Sequence, residues 1–119
     1  MSEEPEELSQ RHCVPCEGGT PPLGAEDIVA LLPRVPRWTM QQGPQGDELT
    51  RAVKTKDFLS AVQLVERMTP IAESEGHHPD LEVGWGRVGI RLTTHAAQGL
   101  TPNDFILAAK FDELLDAVQ

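Results

Sequence analysis

Apolar residues recur along this chain with two different periods. In "AEDIVALLPRV", which starts at Ala25, residues Ile28, Leu31 and Leu32 share one helical face, at the three- and four-residue spacing of an amphipathic helix. Glu26 and Asp27 occupy its first turn, where acids suit the helix dipole, and Pro33 and Pro36 end it. "WTMQQ" and "ELTRAVK" then read as two strands joined by the turn-rich "GPQGD". The longest helical signal is "TKDFLSAVQLVERMTPIAESEG", in which Phe58, Val62, Val65 and Met68 form the apolar stripe and Gly76 supplies the stop. Pro70 removes one backbone donor from that segment and predicts a kink or a split. A last helix opens "TPNDFILAAKFDELL", with Thr101 as N-cap and Pro102 at the first helical position.

The order α-β-β-α-β-β-α predicts an α+β domain, a four-stranded antiparallel sheet with helices packed on one face in two layers. The second hairpin lies within "EGHHPDLEVGWGRVGIRLTTH", from Glu75 to His95. A Gly86-Arg87 loop suits a type II′ turn. It sets Trp85 opposite Val88, Val83 opposite Ile90 and Leu81 opposite Leu92, one continuous apolar face on which Trp85 reads as core. On the other face Gly84 meets Gly89, and Glu82 meets Arg91 as an opposite-charge pair. A slip of one residue would oppose apolar to polar positions throughout.

Carried outward, this register sets His78 opposite His95, where directly paired Cβ atoms lie about 5 Å apart. Pro79 cannot donate to a ladder, so regular pairing stops near Asp80 and Thr93. His77 adjoins His78, and Glu73 lies one helical turn before it, a carboxylate at the negative end of the dipole. Three histidines and a carboxylate at one sheet end suit general acid–base work, because imidazole titrates near neutrality. They also resemble a divalent-metal donor set, but neither HExxH nor HxH occurs, and adjacent histidines in an extended segment point apart. Acid–base chemistry without a cofactor or metal is the favoured reading. Asp104, at the third position after Thr101, is equally accounted for by helix capping.

At 119 residues the chain is one domain, read as an extended N-terminal segment over 1–24 and a folded unit over 25–119. The net charge of −9 argues against direct contact with nucleic acid or an anionic membrane. Arg51, Lys54, Arg87 and Arg91 still leave room for a local basic pocket. No apolar run approaches the roughly 20 residues that span a bilayer, and the acidic opening "MSEEPEELSQ" is unlike a secretory signal. A cytoplasmic location is the expectation. Cys13 and Cys16 form a single CxxC preceded by His12. One chain then lacks ligands for a closed zinc site, and two reduced thiols are the simpler reading.

"E-S-E-G-H-H-P" from Glu73 to Pro79, then Trp85, His95, "GLTPNDFILA" and Asp104, with Trp38 after the first helix, resembles the signature of the pterin-4a-carbinolamine dehydratases over roughly residues 25–116. The resemblance implies loss of water from a 4a-hydroxytetrahydropterin, with His77, His78 and His95 carrying the proton transfers. It implies that Glu73 orients or tunes a histidine, that Thr93 and Thr94 contact the pterin, that Trp38 lines the pocket, and that Asp104 belongs to the site. It also implies dimers or tetramers built through sheet edges and the long helix. A related activity on a pterin of molybdenum-cofactor metabolism is a second expectation. A third is a binding or regulatory module, since the family includes a transcriptional coactivator. Gly76 departs from the pattern, standing where an acidic residue can precede the histidine pair, and Pro70 bears on where Glu73 sits.

Overall fold

The computed structural model describes residues 7–15 and 20–118, apart from the side chain of Val118. Glu3, Glu4, Glu6 and Cys16 lie outside these residues. Three helices, α1 (Ala25–Leu31), α2 (Phe58–Glu75) and α3 (Pro102–Val118), accompany four strands, β1 (Thr39–Gly43), β2 (Gly46–Lys54), β3 (Asp80–Gly84) and β4 (Arg87–Leu92). The strands form one antiparallel open sheet in the order β1-β2-β4-β3, so two hairpins lie side by side. This is the α+β arrangement expected from the element order.

Strand alternation makes the covered face. Leu49 pairs with Leu92 and Val53 with Val88 across β2 and β4, and all four are 2% exposed or less. Beneath them α3 contributes Phe105, Ile106, Leu107, Ala108, Phe111 and Leu115, and α2 contributes Ala61, Leu64, Met68 and Ala72. Arg51 lies in this same face, opposite Ile90, and its guanidinium meets Asp112 of α3 with only 7% of the side chain exposed. A buried cation needs such a partner.

Several local expectations are corrected. The β3–β4 turn is Trp85-Gly86, with Gly86 at φ +77°. Leu81 therefore opposes Ile90, Val83 opposes Val88 and Glu82 opposes Gly89. The register differs by two residues from the type II′ alignment, and His78 and His95 are not a cross-strand pair. An even slip keeps every side chain on its expected face, so the apolar pattern could not expose it. The charges could not either: Glu82 pairs with Arg87 at 3.0 Å, and Asp80 stands opposite Arg91. Trp85, at the turn, is 75% exposed and not core.

α2 starts at Phe58, the first residue of its apolar pattern. Asp57 caps it, accepting from the Ser60 N–H at 2.8 Å, and this bond holds its carboxyl below the usual range. The buried face is Ala61, Leu64, Met68 and Ala72, whereas Phe58 is 53% exposed. Pro70 sits inside the helix without splitting it. α1 is short, and Pro33 passes it into a 3₁₀ turn over Leu32–Arg34.

Candidate active site

The end of α2 sets the first part of the site. Gly76 adopts the left-handed conformation at φ +65°, and the N–H of His77 returns to the Ala72 carbonyl. This is the Schellman stop. It accounts for the glycine that departs from the expected acidic residue. The turn throws His77 back toward the first turn of α3, where its Nε2 lies 2.6 Å from Asp104 Oδ1.

Asp104 is the hub. It is fully buried, and its second oxygen, Oδ2, accepts from the Thr101 N–H at 3.0 Å and the Thr94 hydroxyl at 2.8 Å. With that proton spent, Thr94 Oγ1 accepts from Thr101 Oγ1, also at 2.8 Å. One carboxylate therefore serves the first turn of α3, as helix capping led one to expect, and also contacts His77. It also ties the α2 end to the segment after β4. A buried carboxylate is tolerable only with such a full set of donors.

The other two histidines keep separate partners. His78 Nε2 meets the Glu73 carboxylate on the exposed edge of the cluster. His95 opens a 3₁₀ turn over His95–Ala97 that closes through the Thr94–Gly99 bridge and the left-handed Gln98, and its Nδ1 meets Gln45 Oε1. Each histidine thus engages one ring nitrogen with a side chain, His77 and His78 through carboxylates and His95 through a neutral amide.

Thr93 and Trp38 are placed differently from these. The Thr93 hydroxyl donates to the backbone carbonyl of Asp47 at 2.8 Å. Trp38 is 5% exposed, and its indole N–H donates to Asp112 at 2.7 Å. Asp112 lies two turns, about 12 Å, along α3 from Asp104. The structure therefore brings His77, Asp104, Thr94 and Thr101 into one network and leaves Trp38 in the core beside Arg51.

Three contributors were not found from sequence: Gln45, Asn103 and Glu75. The Asn103 side chain, 3% exposed, pairs with the backbone of Val14, donating at 2.6 Å and accepting at 2.9 Å. Glu75 accepts the Cys13 N–H at 2.7 Å and meets the His12 ring at 3.0 Å. Burial pushes the Glu75 carboxyl up, but the Cys13 N–H, His12 and Lys110 outweigh it and hold it below the usual range. Residues 8–15 thereby form a strap over α3, anchored in the core by Leu8. Burial, followed by the charges of Glu75 and Asp104, pushes the Cys13 thiol up to about 12. No group of three or more histidine, cysteine, aspartate or glutamate side chains among the described residues is arranged to hold a metal ion.

Fold and site together define a small α+β protein with a cluster of histidines and carboxylates where two helix ends meet the sheet. The sequence pattern of the family described as "Pterin 4 alpha carbinolamine dehydratase" matches residues 21–114. A protein of Methylococcus capsulatus is 42% identical over 107 residues, covering 90% of this chain and 92% of its own. One from Rubrobacter xylanophilus is 41% identical over 108 residues, covering 91% and 98%. Both carry the name "Putative pterin-4-alpha-carbinolamine dehydratase". The crystal structure of a "transcriptional coactivator/pterin dehydratase" from Brucella melitensis superposes with a TM-score of 0.71 at 28% identity, covering 79% of this chain and 98% of that one. The chain belongs to the pterin 4 alpha carbinolamine dehydratase family.

Proposed function

We propose that this protein is a hydro-lyase that removes water from a 4a-hydroxytetrahydropterin to give the quinonoid dihydropterin, and so serves tetrahydropterin recycling. The reaction delivers a proton to the departing hydroxyl at C4a and takes one from N5, so no net proton or electron is exchanged. His77, His78 and His95 carry these transfers, because each keeps one ring nitrogen on a protein partner and has a second with which to trade a proton. Asp104 and Glu73 orient His77 and His78, each by engaging one ring nitrogen. Thr94 joins the two halves of the site, and Thr93 ties the segment bearing His95 to β2. The observation that carries this reading is the buried Asp104 network, which links His77 to the segment bearing His95.

The test is stopped-flow dehydration of 4a-hydroxytetrahydropterin by the wild type, His78→Ala and His95→Ala. Loss of rate in both variants is expected. Equal rates in all three proteins would overturn the reading, and would turn attention to a binding role, in keeping with the coactivator name that the Brucella protein carries.

A cytoplasmic location and a dimer or tetramer belong to the same proposal. The edge strands β1 and β3 and the exposed Phe58 and Leu59 on α2 are the surfaces such an assembly would cover. Light scattering of the purified protein decides it.

A further inference from the structure

The β1–β2 turn consists of two residues, Pro44 and Gln45, between the paired Gly43 and Gly46. It is pressed onto the turn that carries His95. Gly46 sits at φ +121°, and a Cβ there would lie 2.0 Å from the Gln98 carbonyl oxygen. Gln98 is itself left-handed, at φ 55°. The contact between the two turns is thus made by backbone that accepts no side chain, which fixes their spacing although both are at the surface. Pro44 restricts the first turn further. Together they enclose a polar recess of about 520 Å³ lined by Pro44, Gln45, Gly46, His95 and Gln98. Within it Gln45 Oε1 faces His95 Nδ1.

A neutral imidazole has one N–H and one lone pair, and an amide oxygen only accepts. The Nδ1 that meets Gln45 Oε1 therefore carries the hydrogen. We propose that Gln45 is a positioning residue for His95, holding it as the Nδ1–H tautomer so that Nε2 is the atom that exchanges a proton with the substrate. The inference rests on the dehydratase reading for its consequence, but its geometry is independent of it. When His95 is protonated the same Nδ1–H bond persists, so Nε2 serves in either direction of transfer. Gln45 is a neutral partner, unlike Glu73 and Asp104 at the other two histidines.

Two measurements on the full chain test this. Nitrogen-15 correlation spectra of the histidine rings, recorded where His95 is neutral, should show the Nδ1–H tautomer in the wild type. In Gln45→Leu the spectrum should move toward the Nε2–H form that predominates in an unpartnered histidine side chain. In the dehydration assay Gln45→Leu should lose about tenfold to a hundredfold in kcat, as expected when the partner that orients a histidine is removed, with KM little changed. Gln45→Glu should retain the tautomer and move the His95 limb of the pH–rate profile to higher pH, since a carboxylate favours the imidazolium. An Nε2–H tautomer in the wild type, or an unchanged tautomer in Gln45→Leu, would overturn the inference. A wild type without dehydratase activity would instead sink the proposed function, while the ring spectra would still decide the tautomer. A tautomer switch that leaves kcat unaltered would show that His95 Nε2 exchanges no proton in the reaction, which also overturns the inference.

Discussion

Asp104 carries three separate tasks on two oxygens, and substitutions should separate them. Asp104→Asn keeps an acceptor for the Thr101 N–H but removes the charge beside His77. It should lower kcat about a hundredfold, the lower range for a disturbed acid–base group, while costing only about 1 kcal/mol of stability as an altered cap. Asp104→Ala also strands the buried Thr94 hydroxyl and Thr101 N–H, at about 1–3 kcal/mol for each unpaired group, and should lower Tm well below that of the Asn variant. Comparable melting of the two variants would refute this division of roles. Cys13 offers a second test. With its thiol pushed up to about 12 by burial and by Glu75 and Asp104, almost no thiolate exists at pH 8, and the thiolate is the reactive form. Iodoacetamide at that pH should leave Cys13 unmodified in the native protein and alkylate it after denaturation, as read by peptide mass spectrometry. Rapid native labelling would mean that the strap does not bury it.

The elements show which parts of the site could be read ahead of the structure. Stops and caps are local, so Gly76 and Thr101 announced themselves, and they place His77 and Asp104 at facing helix ends. The hairpin shows where local reading stops. Gly84, Gly86 and Gly89 permit more than one two-residue turn, and an even slip preserves both the apolar face and a charge pair for Glu82. Parity was legible in Val88, Ile90 and Leu92, but register was decided by docking of the turn, where the Thr55 N–H donates to the Gly86 carbonyl at 2.9 Å. The Gln45–His95 contact escaped for the same reason, as it depends on two turns meeting through backbone. The stop itself makes a prediction. A Cβ at Gly76 meets no atom within 4 Å, so Gly76→Ala is opposed only by its left-handed backbone, at about 1 kcal/mol. Any relaxation of that turn displaces His77 from Asp104. Activity should therefore fall further than stability does, and Gly76→Asn, which tolerates this conformation, should recover most of it. If activity survives unchanged in Gly76→Ala, the stop has no part in positioning His77.

At the scale of the whole molecule the strap joins regions remote in sequence. Leu8 enters the core, Lys110 donates to the Ser9 carbonyl at 2.9 Å, and Glu75 and Asn103 grip residues 12–14 beside the site. No periodic pattern marks this segment, which is why its composition alone read as a lead-in. Its attachment should depend on acid. Glu75 is held below the usual glutamate range in the folded protein, because the Cys13 N–H, His12 and Lys110 outweigh the opposing effect of burial. A carboxyl depressed on folding adds stability that is fully present above its unfolded value, the ordinary 4.5, and that is lost as pH falls through the lower folded value. Urea unfolding across that window should therefore weaken with falling pH, and Glu75→Gln should flatten the slope while lowering stability at pH 7. Over the same range the Cys13 amide, which donates to Glu75, should exchange with solvent faster than the Leu92 amide of the central strand. If the Cys13 amide keeps its protection at a pH low enough that the urea stability no longer falls, the strap is held by Leu8 and Asn103 without help from the Glu75 charge.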